Sequence, residues 1–387
     1  MLVFPMDIET QKNKIDSIAI WSITPNGKLL GLKIHNAVKG SVFFVSEKLW
    51  QEQYNQHLFD KNISVFKNKK LSKEIEQQFN NFSGHVFIFS TGIAIRIIAP
   101  LLQSKIIDPA VVVVDDQANH AISFLSGHLG GANALTKKIA AIIKAEPVIT
   151  TATDTNNLPS IDMIAKQNGI MIETPQNIKH INMAFLAGRP VSLYDPSGII
   201  KNELPENFWI DAGDTGMEAD DKNIESKKIF CSHEIKTVSR ETLILRPPVL
   251  SVGIGCNRGT KFKAIKEFLL SVLKEQGLSI NSVNRFGTTE VKKDETGLLK
   301  LSDEMQIKID FYSNQELNSV KTIKTPSKMV EKYLGVKSVC EAAAILSSSS
   351  ITRDKSGILN TPDKFDGKLI VTKQKNRDVT IAVAIKK

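Results

Sequence analysis

Cysteine is scarce in this chain. Three cysteines among 387 residues (Cys231, Cys256 and Cys340) are an odd number and lie far apart, which fits neither a disulfide framework nor the paired spacing of a zinc site. Such sparing use fits a reducing compartment, and a cytoplasmic protein is expected. Aromatic residues are only 6% of the chain and are not interleaved with basic ones. A single-stranded nucleic-acid platform needs that interleaving, so nucleic acid is not an expected partner. No apolar run approaches the ~20 residues of a membrane-spanning helix, and no membrane contact is expected. Met1–Glu9 carries early acids and lacks the apolar core of a secretory signal. None of the seven histidines is four residues from another, so no zinc helix and no protein-bound metal are expected.

What is present is an ordinary globular composition, 42% hydrophobic, with a net charge of +9. The length implies two or three domains. Residues 249–387 hold 24 Lys and Arg against 15 Asp and Glu, while residues 1–248 hold 26 of each, so the whole excess sits in the last third. A basic lobe attracts polyanions, and without base-stacking aromatics a polycarboxylate small molecule fits better than nucleic acid.

Residues 15–34 alternate around Pro25-Asn26-Gly27, the pattern of a hairpin. Residues 51–83 are polar and read as a surface helix with loops. From His85 onward short apolar runs alternate with helical spacing. Strands are expected at Val86–Ser90, Ala110–Asp115, Ala121–Leu125 and Pro147–Ala152, with helices at Ile93–Lys105 and Asn133–Lys144. Helices near Ile161–Asn168 and Ile181–Leu186 and a strand at Val191–Tyr194 follow. Residues 201–240 lose periodicity and read as a polar loop. After Arg246-Pro247-Pro248 a second unit begins. Its expected strands are Leu250–Ile254, Ile280–Arg285, Ile307–Tyr312, Lys368–Thr372 and Val379–Ile385. Its expected helices are Lys261–Glu275, Leu298–Met305, Ser327–Tyr333 and Val339–Ser347. The fold class is therefore α/β: an N-terminal Rossmann-like three-layer α/β/α unit with a mainly parallel sheet, and a smaller C-terminal α/β domain with a mixed sheet. The expected domains are 13–150, a middle region 151–245 that completes it or is appended to it, and the basic domain 249–387.

Chemistry is densest in Ser126-Gly127-His128-Leu129-Gly130-Gly131-Ala132-Asn133 and in Thr150-Thr151-Ala152-Thr153-Asp154. Both clusters close strand-like runs, and strand ends of an open α/β sheet form its ligand crevice. Imidazole titrates near neutrality, which makes His128 a candidate acid or base, and Asp154 can orient or activate water. Both also have structural readings, a histidine capping the following helix and an Asp or Thr N-cap. Gly127, Gly130 and Gly131 allow a tight turn and close approach of a ligand. Asn133, Thr150, Thr151 and Thr153 can bind substrate oxygens. Arg96 follows a strand and turn, where a cation can reach a bound carboxylate. In the second unit Gly255, Cys256, Arg258, Gly259 and Thr260 form a glycine-rich turn that reads as an anion nest with Arg258 as anchor. Lys292 and Lys293 are further cationic candidates. Glu341 is an acid inside an apolar helix, so it needs a partner, with a basic residue or the Gly255–Gly259 turn as candidates.

These segments, in this order, resemble the cobalamin biosynthesis protein G family, the cobalt-precorrin-5A hydrolases. The resemblance rests on Ser-Thr-Gly with Arg96, Leu-Ser-Gly-His-Leu-Gly-Gly-Ala-Asn-Ala-Leu-Thr, Pro-Val-Ile-Thr-Thr-Ala-Thr-Asp, Val-Gly-Ile-Gly-Cys, Lys-Lys-Asp-Glu-Thr-Gly-Leu and Val-Cys-Glu-Ala-Ala-Ala, over roughly residues 85–200 and 249–387. It implies a hydrolase of the anaerobic route to vitamin B12 that opens the δ-lactone of a cobalt-containing tetrapyrrole and releases acetaldehyde. The partner it implies is that polyanionic cobalt-tetrapyrrole, with transient contact to neighbouring pathway enzymes. Cobalt arrives in the substrate, so no cofactor is expected. The expected catalytic residues are His128 and Asp154. The expected substrate-binding residues are Arg96, Gly127, Gly130, Gly131, Asn133, Thr150, Thr151, Thr153, Gly255, Cys256, Arg258, Gly259, Thr260, Lys292, Lys293 and Glu341. Two other classes remain open at this point, a non-catalytic corrinoid-binding protein and a nucleotide-binding enzyme that uses Gly253–Gly259.

Overall fold

Seven short strands rich in Val, Ile and Phe build the first sheet of the protein, here a computed structural model. It describes residues 15–51, 62–67, 70–104, 107–128, 130–213, 227–349 and 365–386. The expectations for residues 1–12, for 52–61 within the polar stretch, for Leu129 and for 214–226 within the polar loop lie outside the described residues. The strands are β1 (Ile15–Ser22), β2 (Val42–Ser46), β3 (Ile63–Phe66), β4 (Phe82–Ile88), β5 (Ala110–Val114), β6 (His120–Leu125) and β7 (Glu146–Val148), in the order β3-β2-β1-β4-β5-β6-β7. All neighbours are parallel except β5 and β6.

Because side chains alternate along a strand, the sheet feeds two cores. Ile20, Phe43, Val86 and Val112 pack under Ile34 of helix Pro25–Ala37 and Leu135 and Ile139 of helix Ala132–Ile143. Trp21, Phe44, Phe87 and Val113 pack on the other face with Ile75 of helix Leu71–Gln78 and Ala94 and Ile98 of helix Thr91–Ile98. The result is a three-layer α/β/α unit. Two histidines here serve packing: His85 is buried between the Trp21 indole N–H at 3.1 Å and the Phe79 carbonyl at 3.0 Å, and His35 is buried against Ser41.

The expected hairpin at Pro25-Asn26-Gly27 is not formed. Thr24 accepts a hydrogen bond from the Gly27 N–H, Pro25 occupies the first turn, and a helix runs to Ala37. Proline with its fixed φ suits a helix start as well as a turn, and a preceding Thr cap selects the helix. Gly31 lets this helix settle on the sheet, since a Cβ there would stand 2.4 Å from the Phe43 ring.

A second sheet has the order β10-β9-β11-β12-β8, from β8 (Met171–Ile172), β9 (Val191–Tyr194), β10 (Trp209–Asp211), β11 (Lys228–Cys231) and β12 (Leu243–Arg246), with only β8 antiparallel. Part of residues 201–240, expected as loop, is thus β10 and β11. Their runs of three and four residues are too short to show a period. The third sheet is β15-β14-β13-β17-β16, from β13 (Leu250–Cys256), β14 (Val283–Thr289), β15 (Lys308–Tyr312), β16 (Lys368–Lys375) and β17 (Val379–Ile385). β13, β14 and β15 are parallel, and β17 and β16 run antiparallel to their neighbours, so the sheet is mixed. Helices Phe262–Glu275 and Thr296–Met305 cover one face and Val339–Ser348 the other. A Cβ at Gly253 would fall 1.8 Å from the Cys340 carbonyl oxygen, so this glycine is what lets the Ala-rich helix lie so close to β13. By compactness the chain divides after Met163. No helix among the described residues is long and apolar enough to cross a membrane.

Candidate active site

The turn after β6 is built from backbone conformations that few residues adopt. Ser126 and Gly131 have positive φ (58° and 90°), and a Cβ at Gly130 would stand 2.2 Å from that of Ser126. The Ser126 and Gly127 carbonyls accept from the Ala132 and Asn133 N–H groups, and the turn leads into helix Ala132–Ile143 with His128 at its apex. The run after β7 enters a single helical turn, Ala152–Thr155, rather than remaining extended to Ala152 as the sequence suggests. This turn carries Thr153 and Asp154 to the imidazole.

His128 Nε2 lies 2.9 Å from Asp154 Oδ2 and 3.0 Å from Thr153 Oγ1. Nδ1 lies 3.4 Å from Ser160 Oγ and 3.5 Å from Asp162 Oδ2. Ser160 also donates to Asp162 Oδ1 at 2.6 Å. Asn133 joins the group from below: its amide donates to Asp154 Oδ2 at 2.9 Å and to Thr151 Oγ1 at 3.0 Å, and its carbonyl accepts from Ser123 at 2.6 Å. The side chains grade inward, with Asp154 29% exposed, His128 17% and Asp162 5%. Hydrogen bonding to Asp162 is the largest influence on His128 and raises its pKa. Burial opposes this, the charge of Asp162 and the bond and charge of Asp154 add to it, and the net shift is upward. The ring is therefore an imidazolium over more of the neutral range than a free histidine.

The structure thus brings together His128, Asp154, Thr153, Asn133 and Thr151. Gly127 and Gly130 shape the turn, and Thr150 stands exposed at its margin. Asn133 is a buried brace whose donors and acceptor are engaged within the chain. Asp162 and Ser160 were missed from sequence. Asp162 reads there as an ordinary acid in the first turn of a helix, and only the fold shows its second oxygen turned to the imidazole.

Arg96 is not part of this cluster. It folds back onto the Gly92 carbonyl at 2.8 Å, and no hydrogen bond or ion pair among the described residues joins it to His128 or Asp154. β6 explains this. Because it runs antiparallel to β5, its carboxyl end lies beside the amino end of β5 (Leu125 opposite Val111). The His128 and Asp154 turns therefore sit at the sheet end opposite the Ser90–Gly92 turn.

In the second compact unit the glycine-rich turn holds an internal anion. The Gly259 N–H donates to Glu295 Oε1 at 3.0 Å, and Lys292 Nζ lies 3.1 Å from Glu295 Oε2. Arg258 binds Asp294 at 2.5 Å and the Val291 carbonyl at 3.3 Å, and Lys293 reaches Glu290 at 3.4 Å. At the turn expected as an anion nest, one backbone N–H and Lys292 hold Glu295, while Arg258, expected as the anchor, pairs with Asp294. Gly255 lies under the Thr380 hydroxyl, and Thr260 bonds back to the Asn257 carbonyl at 2.8 Å. Burial raises the Cys256 thiol, which suits packing rather than nucleophilic attack. Glu341 is fully buried, and its partner is neither a basic side chain nor the glycine turn. Its oxygens accept from the backbone N–H groups of Lys324, Thr325 and Lys373 and from the Thr325 hydroxyl. Backbone donors suffice because the loop before helix Lys328–Leu334 and strand β16 both present free amides there. No group of three or more His, Cys, Asp or Glu among the described residues is arranged to hold a metal.

Comparison with known proteins fits this layout. Cobalamin synthesis G N-terminal matches residues 73–154, Cobalamin biosynthesis central region matches 159–247, and Cobalamin synthesis G C-terminus matches 250–384. A cobalt-precorrin-5A hydrolase of Priestia megaterium is 32% identical over 380 residues, 95% of this chain and 94% of that protein. The chain belongs to the cobalamin biosynthesis protein G family. A cobalt-precorrin-5A hydrolase of Salmonella typhimurium is also 32% identical, over 87% of this chain and 93% of its own. The crystal structure of a cobalamin biosynthesis protein G homolog from Sulfolobus solfataricus is 22% identical, covering 97% of this chain and 99% of that one, with a TM-score of 0.34. Within the family's division, His128 and Asp154 fall in the N-terminal part, and Ser160 and Asp162 in the central region.

Proposed function

We propose that this chain is a cobalt-precorrin-5A hydrolase of the anaerobic cobalamin pathway, with Asp154 and His128 at the reacting centre. The names of its relatives support the substrate. The observation that carries the mechanism is the division of labour at Asp154. Its Oδ2 is held by His128 and Asn133, while Oδ1 has no hydrogen bond among the described residues and the side chain reaches solvent. A carboxylate fixed through one oxygen presents the other to water as a general base.

In this reading Asp154 Oδ1 takes a proton from a water as its oxygen adds to the lactone carbonyl. The acyl C–O bond then breaks, leaving a carboxylate on the macrocycle. The departing ring oxygen takes that proton from Asp154 Oδ1, while the His128 imidazolium stays against Oδ2. Asp154 Oδ1 then accepts the carbinol O–H proton as the bond from the carbinol carbon to the macrocycle breaks; acetaldehyde leaves, and the electron pair of that bond stays on the macrocycle. The exposed Thr150 hydroxyl is a candidate donor to the developing oxyanion. Cobalt enters with the substrate, and the chemistry calls for no cofactor of the protein's own. A cytoplasmic location and brief contact with neighbouring enzymes of the route belong to the same reading.

The test is anaerobic incubation with cobalt-precorrin-5A and assay of acetaldehyde. Stoichiometric release by the unaltered protein, with loss in Asp154→Asn, supports the reading. Binding of the substrate without release would leave a corrinoid-binding protein in its place.

A further inference from the structure

We infer that Asp162 is the positioning residue of this site: with Ser160 it holds His128 Nδ1, turns the opposite N–H onto Asp154 Oδ2, and so leaves Asp154 Oδ1 as the oxygen that meets water. The inference rests on the hydrolase reading above and assigns a role to a residue outside the two motifs that carry it.

Both ring nitrogens of His128 face carboxylate oxygens, at 2.9 and 3.5 Å. An imidazole engaged at both nitrogens has no lone pair to offer water. It acts as a cationic strut between two acids, and base chemistry passes to whichever acid reaches solvent. That acid is Asp154, 29% exposed against 5% for Asp162. The groups that face the ring are Asp154 and Thr153 from the turn Ala152–Thr155, and Asp162 and Ser160 from the start of helix Ile161–Gln167. Ser160 is itself fixed by its 2.6 Å bond to Asp162 Oδ1. An acid that served only the first turn of its own helix would need no second oxygen directed at an imidazole on another segment. A fixed ring orientation is what a partner of this kind supplies to a working histidine.

The test is Asp162→Asn in the full chain, read in two ways. NMR titration of the His128 ring reports the clamp without any substrate, and its midpoint is expected to fall by about one unit. With cobalt-precorrin-5A, kcat at pH 8 is expected to fall by roughly 10- to 100-fold with KM changed less than about twofold, and the alkaline limb of the kcat profile is expected to move down with the ring titration. Asp162→Glu restores part of both. An unchanged His128 titration overturns the inference whatever the turnover does. Should the unaltered protein release no acetaldehyde, the hydrolase reading fails, while the ring titration still decides whether Asp162 holds His128. Ser160→Ala, which keeps both charges, serves if Asp162→Asn does not fold. It is expected to lower the His128 midpoint by a smaller step, and no change in it counts against the clamp.

Discussion

Asp154 and Glu341 are both acids on helices, yet the fold gives them opposite tasks. Asp154 keeps one oxygen open to solvent, and its replacement by Asn is expected to lower kcat by about 10²- to 10⁴-fold with little change in urea stability. Glu341 has no exposed surface and holds three backbone amides and a hydroxyl. Glu341→Ala strands those donors, so a loss of roughly 3 kcal/mol in urea unfolding is expected, with activity per folded molecule retained. Burial pushes the Glu341 pKa up, but the Thr325 hydroxyl and the three backbone donors outweigh it and the net shift is down. Its contribution is therefore complete above the ordinary glutamate pKa and fades as pH falls through the lowered value. His128 has the opposite sign. With a raised folded pKa, its contribution is complete below the ordinary histidine value and is lost as pH rises through the folded one. Unfolding measured from about pH 6 to 9 is expected to show this decline in the parent chain and a flatter profile in His128→Gln.

Elements were legible where a buried run was long enough to carry its own signal. Ala110–Val114 and Val379–Ile385 stand where the sequence places them, since uninterrupted apolar or β-branched residues leave a core strand as the reading. Helix Ala132–Ile143 was legible from Leu135, Ile139 and Ile143 on one side. Pro25-Asn26-Gly27 misled because its residues suit two structures, and the parallel neighbours of β1 that decide between them are distant in sequence. β10 and β11 went unseen because they are held by pairing with β9, not by a pattern of their own. The candidate site divides in the same way. His128 and Asp154 were visible as motif residues, whereas Asp162 and Glu295 matter only for what the fold sets opposite them, 34 residues away for Asp162 and His128. Close packing makes its own demand. Gly253→Ala would drive a methyl group into the Cys340 carbonyl, 1.8 Å away, and an overpacking loss above about 3 kcal/mol is expected in thermal or urea unfolding.

The whole chain carries +9, all of it contributed by residues 249–387. Yet the cations singled out there are matched locally, Arg258 by Asp294, Lys292 by Glu295 and Lys293 by Glu290. The long-range field therefore acts mainly in bringing a polycarboxylate to the protein, and less in gripping it at that turn. KM for such a substrate is expected to rise several-fold between about 0.05 and 0.5 M salt while kcat stays level, because screening weakens attraction between separated charges first. A level KM would place binding in short-range contacts instead.

The reversal of a single strand, β6, has one more effect. It puts strand carboxyl ends on both margins of the first sheet. One margin carries the imidazole. The other, beyond β1 and β4, keeps the strand reversal that in doubly wound proteins opens a crevice. Loops grafted onto that far rim could be lengthened or exchanged while the proton-handling apparatus stays untouched, so the two margins are free to diverge on separate schedules.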